Sequence, residues 1–220
     1  MIRFKLLGFP VSIEPFFWLV IALLGGALRA NSPQAVLLLL VWMLVVLVSI
    51  LVHELGHALA GRRYGATPEI RLHGFGGMAV MHGGRFNRLQ SILVSAAGPA
   101  FGFALGVLVL LVYLGAFRNR ELPLELGYGI TMLLYVNFFW TLINLLPILP
   151  LDGGQIFRDL AGPKRAGLVR WVSVICAGGV AGWALQAGMI FLGLMVAYLG
   201  FLNFQSGAGP QRIPGGVQRD

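Results

Sequence analysis

The sequence predicts an α-helical polytopic membrane protein of about six transmembrane helices with a small membrane-associated β-hairpin or sheet. Three observations predict it. Of 220 residues, 58% are hydrophobic and only 11% charged, and the mean hydropathy is +0.84. Several apolar runs are long enough to cross the roughly 30 Å of bilayer hydrocarbon. Charged residues gather in a few connectors between those runs. The net charge of +8 does not point to nucleic acid, because the basic residues sit singly between apolar runs, as in cytoplasmic loops facing anionic headgroups. Cys176 is the single cysteine, which excludes an intramolecular disulfide and reads as a small packed side chain.

In chain order, residues 2–13 mix apolar, basic and turn-forming residues and read as a short strand or interfacial segment. A first helix is expected over 16–28, entered through the aromatic residues Phe16, Phe17 and Trp18. No removable signal peptide is expected, because Arg3, Lys5, Pro10 and Glu14 precede that run. A second helix covers 34–61. Residues 68–83 hold two partly alternating runs around Gly74-Phe75-Gly76-Gly77 and predict a β-hairpin. A third helix covers 89–117, with Gly98, Gly102 and Gly106 spaced for close helix approach. Pro99 is expected to kink it or to mark a break near its start. A fourth helix covers 126–147, and 171–186 and 188–204 divide the last apolar stretch. A single domain thus spans 1–204, followed by a flexible tail at 205–220.

The connector 62–88 carries five Arg and one Glu, and 158–170 is again basic, whereas the connectors near Arg29 and at 118–125 carry little net charge. Six spans with both termini cytoplasmic put every basic segment on one side.

Within the second helix stands His53-Glu54-Leu55-Gly56-His57. Two histidines four residues apart share a helix face and can bind one Zn²⁺, with Glu54 beside them as general base. Ionisable groups in a membrane segment are costly and imply function by default. A catalytic zinc site ordinarily has three protein ligands. Asp152, in the break Pro147-Ile148-Leu149-Pro150-Leu151-Asp152-Gly153-Gly154, can turn inward as an oxygen ligand, or can simply cap a helix or form a turn. His73 and His82 flank the hairpin and read as surface or interfacial residues.

Those two segments together resemble the site-2 protease family of intramembrane zinc metalloproteases, in a minimal form without PDZ or CBS domain. The resemblance covers about 34–155. It implies that His53, His57 and Asp152 are zinc ligands and that Glu54 is the catalytic base and acid. It implies that Asn144 helps hold the substrate backbone or the developing oxyanion; an interhelical hydrogen bond is the alternative role. The hairpin resembles the family's membrane-associated β element, whose edge could pair with an extended substrate. The third-helix motif departs from the family's: Gly98-Pro99 is present, but Gly102 stands where an Asn is usual.

The expectation is therefore an intramembrane zinc endopeptidase acting on single-span membrane proteins or membrane-embedded remnants. It would be a multi-pass protein of a prokaryotic plasma membrane with its site toward the cytoplasm, and its partners would be membrane substrates and lipid, not nucleic acid. A metal-ion transporter using His53, His57 and Asp152, and a non-catalytic membrane scaffold, are the rival classes. The oligomeric state does not follow from the sequence.

Overall fold

The computed structural model describes residues 1–206. Strands β1 (Ile2–Leu6) and β2 (Phe9–Ile13) pair as an antiparallel hairpin. Its two-residue turn puts Leu7 at φ 50 and Gly8 at φ 86, matching the twist of the strands it joins. Strands β3 (Thr67–His73) and β4 (Gly76–His82) form a second antiparallel hairpin. The two hairpins join through a parallel β2–β3 pairing in which Val11 faces Ile70 and Ile13 faces Leu72, giving one sheet of order β1-β2-β3-β4. The sequence suggests only the second hairpin clearly, since the parallel pairing depends on chain separated by two helices.

Between the hairpins lie α1 (Pro15–Leu24) and α2 (Pro33–Arg63). Ser32 caps α2 by accepting the Ala35 amide at 3.2 Å, and Pro33 occupies the first turn, where its missing N–H is not needed. At 31 residues α2 is about 46 Å long, more than enough to cross a bilayer. Helix α3 (Arg88–Val112) starts from a reciprocal capping box of Asn87 and Gln90 and ends in a π-helical turn at Tyr113–Phe117. It runs through Pro99 without a break in the helix. Helix α4 (Leu124–Asn144) follows.

The segment after α4 holds a further helix, α5 (Asp152–Ala161), where the sequence suggests a break and a basic connector. Helices α6 (Ala166–Gln186) and α7 (Ile190–Gln205) pack against each other across a turn in which Gly188 takes φ 76. The remainder of the tail, beyond Ser206, lies outside the described residues.

Among the described residues, four helices are long and apolar enough to cross a membrane: α2, α3 with its π turn, α4, and α6 with the short turn preceding it. Helices α1 and α7, of 10 and 16 residues, are shorter apolar helices. Large apolar side chains stand exposed along the outer faces, among them Leu37, Leu40, Leu44, Phe101, Leu108, Ile175 and Trp183. A water-soluble monomer rarely exposes such a belt.

Of the three buried apolar clusters among the described residues, two are large. One packs Phe9, Val11, Ile13, Ile70 and Leu72 of the sheet against Phe17, Ile21, Val46, Ile50 and Ala58 of α1 and α2. The other lies between α6 and α7 and takes in Ile143 and Ile148. The second hairpin runs back alongside α2: Met81 meets Gly61, whereas Gly77 meets Ile50 and Glu54. Its tip therefore lies about 16 Å along α2 from the basic end of that helix.

Two arginines close helix ends from neighbouring helices. Arg88, at the start of α3, donates to the carbonyls of Asp159 and Leu160, and Arg170 of α6 donates to those of Asn203 and Phe204. Terminal carbonyls of a helix have no partner within it, and its C-terminal end attracts cations. Arg88→Ala should accordingly loosen the far end of α5. Hydrogen exchange of the α5 amides should rise by about tenfold, equivalent to ~1.4 kcal/mol. Unchanged protection of α5 would refute this role for Arg88.

Candidate metal centre

The site is built from α2 and the first residue of α5. His53 and His57 lie one turn apart on the buried face of α2. Asp152 comes to them from ninety-nine residues away, with its Oδ2 3.1 Å from His53 Nε2 and its Oδ1 3.4 Å from His57 Nε2. The two Nε2 atoms are 3.2 Å apart. All three residues are 7–8% exposed.

These separations test whether a metal fits. Ligand atoms bound tetrahedrally at about 2.0–2.1 Å stand roughly 3.3 Å from one another. The two Nε2 atoms, 3.2 Å apart, match that spacing, and the carboxylate faces one imidazole through each oxygen, Oδ2 at 3.1 Å and Oδ1 at 3.4 Å. The donor set, two imidazoles and one carboxylate, is the kind that holds catalytic zinc with a fourth position open. His57 Nδ1 lies 2.7 Å from the Val94 carbonyl, which can only accept, so the ring proton sits there and the Nε2 lone pair faces the cluster. Among the described residues this is the one group of three or more His, Cys, Asp or Glu placed to hold an ion. His82 instead pairs with Glu69 at 3.7 Å, and His73 accepts the Phe75 amide through Nδ1.

Glycines allow this crowding. A Cβ on Gly98 would run into the His57 ring, and one on Gly56 would strike the Ala97 carbonyl, so α2 and α3 cross at closest approach beside the site. Gly153 and Gly154 meet the backbone at Leu145 and Ile148, which lets the first turn of α5 nest into the end of α4. The loop before Asp152 is tied on both sides. Ser173 of α6 accepts the Leu149 amide and donates to the Pro147 carbonyl, each at 3.2 Å, and Asn203 of α7 donates to the Leu149 carbonyl at 2.6 Å.

Glu54 is buried beside the histidines, close to the backbone of β4 at Gly77 and Ala79. A Cβ on Gly77 would come within 2.6 Å of its Oε1, so glycine permits the strand to lie against this carboxylate. Asn144 is half-buried in the last turn of α4. Sequence reasoning passed over Asn137 and Thr141, which are buried in α4 close to His53. Their signal was available: Asn137, Thr141 and Asn144 recur on one helical face of an otherwise apolar segment.

The sequence model of peptidase family M50 matches residues 41–126 and 120–170. A zinc metalloprotease of Methanocaldococcus jannaschii is 31% identical over 164 residues, covering 73% of this chain and 45% of that protein. Rip3 of Mycobacterium tuberculosis is 29% identical over 224 residues, covering 91% of this chain and 56% of that protein. The chain thus spans about half the length of these curated relatives. Among solved structures, a site-2 protease from Methanocaldococcus jannaschii superposes with a TM-score of 0.64 at 26% identity, covering 96% of this chain and 97% of the other.

The glycine at 98 gives a direct test of the geometry. Gly98→Ala should displace the His57 ring and lower zinc affinity by at least about tenfold, whereas Gly179→Ala, which meets open space, should leave affinity unchanged. Metal analysis after dialysis against a buffered zinc series measures both.

Proposed function

The chain belongs to peptidase family M50, and on that premise we propose that it is an intramembrane zinc endopeptidase cleaving membrane-embedded segments of other proteins. The observation that carries the reading is the buried cluster of His53, His57 and Asp152, with one potential ligand atom from each within 4.8 Å of the others and the Glu54 carboxylate beside it. His53, His57 and Asp152 would hold the zinc, which would supply Lewis acidity toward a scissile carbonyl and toward water near neutral pH. Glu54 accepts the proton of the attacking water and delivers it to the departing amide nitrogen. Asn144, at the end of α4, contacts the substrate backbone.

Substrate must reach Glu54 in an extended form, because a helical peptide bond is shielded by its neighbours. Strand β4 suits that need. It is an edge of the sheet, paired on one side with β3, and it lies against Glu54 through Gly77 and Ala79. An extended segment added to that edge would bring its backbone past the carboxylate. An apolar cavity of about 420 Å³ lined by Phe17, Ile50, Gly76, Phe139 and Trp140 adjoins the hairpin tip and suits apolar substrate side chains. The substrates are single-span proteins or remnant peptides.

The protein is integral to the membrane, and α1 and α7 complete six spans with the help of flanking residues. The contacts of Arg88 with Asp159 and Leu160 join the basic segments 62–88 and 158–170 at one end of the bundle. That end is cytoplasmic by the positive-inside bias. With Arg62 and Arg63 at the headgroups, His57 lies about 8 Å below them along α2, within reach of water. The membrane is the plasma membrane of a prokaryote.

Glu54→Gln should lower cleavage by at least about 10²-fold while zinc remains bound, because the amide keeps the shape but cannot take the proton. Co-expression with a panel of tagged single-span proteins, compared between wild type and variant, reads this. A transporter would keep moving metal in the Gln variant, and a scaffold would hold no stoichiometric zinc. If wild type binds zinc and leaves every panel member uncut, the protease reading loses its support.

Chelation gives a second test. Dialysis against a strong zinc chelator should abolish cleavage, and stoichiometric Zn²⁺ should restore it. Cleavage that survives complete zinc removal would exclude the mechanism.

A further inference from the structure

A ligating imidazole must carry its proton on the nitrogen turned away from the metal, and a buried N–H needs an acceptor. For His57 the Val94 carbonyl meets that need. His53 turns its Nδ1 toward α3 and α4, at the point where Gly102 leaves an opening. A Cβ on Gly102 would stand 3.1 Å from Thr141 Oγ1, 3.7 Å from His53 Nδ1 and 3.8 Å from Asn137 Oδ1. Polar atoms of α2 and α4 therefore converge about one glycine of α3.

The chemistry of Asn137 fixes which way it faces. Its Nδ2 donates to the Leu133 carbonyl at 2.8 Å and to Ser49 Oγ at 2.9 Å. Since a carbonyl cannot donate, that edge of the amide is nitrogen and the other is oxygen. Asn137 is 2% exposed, and its Oδ1 has no hydrogen-bond partner among the described residues. A buried amide oxygen left unpaired is costly and calls for a donor. Thr141 can accept from one neighbour and donate to another.

We propose that Thr141 and Asn137 are positioning residues for His53. The three groups are not in direct hydrogen bond, so a water held over Gly102 accepts from the His53 Nδ1–H and donates to the Thr141 hydroxyl and to Asn137 Oδ1. The relay keeps the Nε2 lone pair of His53 facing the metal, as Val94 does for His57. Ser49 and Leu133 hold the far end of the relay still. Gly102 is the residue that leaves room for it. This inference rests on the reading of His53, His57 and Asp152 as zinc ligands.

The test uses the full chain in lipid nanodiscs, with zinc affinity read by competition against a chromophoric chelator. The double variant Asn137→Leu with Thr141→Val should lose roughly 10–100-fold in affinity, and Thr141→Ser alone should stay close to wild type because it keeps the hydroxyl. Thermal unfolding separates positioning from general damage: the upshift produced by zinc should shrink in the double variant beyond any change in the metal-free protein. If the double variant binds zinc as tightly as wild type, or if Thr141→Ser is as weak as the double variant, the relay is overturned. If wild type itself takes up no zinc, the metal reading beneath it fails instead.

Discussion

The structure turns on the need to satisfy two imidazoles and a carboxylate inside an apolar bundle. Ionisable groups are expensive in hydrocarbon, and each is tolerated only when its neighbours meet its charge and its hydrogen bonds. Asp152 faces both histidines at once, so its negative charge lies where a cation would be held by all three. Its position in the first turn of α5 adds the favourable end of a helix dipole. Removing any one of the three would take a partner from both of the others, which couples them in stability as well as chemistry.

Holding that unit together demands backbone closeness in some places and rigid support in others. Closeness comes from glycine: Gly56 and Gly98 where α2 crosses α3, and Gly153 and Gly154 where α5 meets the end of α4. Support comes from polar residues far from the chemistry in sequence. Ser173 and Asn203 bind the backbone of the loop that ends at Asp152, and Arg88 closes the other end of α5. The outer pair α6 and α7 is therefore more than lipid-facing cover, because it sets where Asp152 can stand.

The legibility of these parts in the sequence followed their locality. The histidine pair and Glu54 lie within five consecutive residues of one helix, and helical spacing alone placed them on one face. Asp152 was open to two roles until the whole pattern of both motifs was weighed. Helix α5 was hidden because Gly153-Gly154 and the prolines before them read as a break, whereas in the fold those glycines are contact positions. The parallel pairing of β2 with β3 was likewise out of reach, since its partners are separated by the whole of α1 and α2. Asn137 carries the same signal as Asn144, a polar residue in an apolar helix, but only the folded chain shows that Asn137 converges with His53 about Gly102.

The hairpin beside α2 brings the demands of stability and access to one place. Non-helical backbone at membrane depth is tolerated only where protein buries it or where it lines a wet cavity. Most of β4 satisfies its backbone through β3, and its inner face rests on α2. Among the described residues, its outer edge has no strand beside it in the sheet. Such an edge is a liability if it faces lipid, and it is useful if the environment is wet or if another chain pairs with it. Zinc hydrolysis of a peptide bond needs both water and an extended chain. Gly77 joins these requirements, since a side chain there would collide with Glu54 and push the strand away from the carboxylate. The bare backbone at Gly77 thus places the unpaired edge within reach of the proposed base.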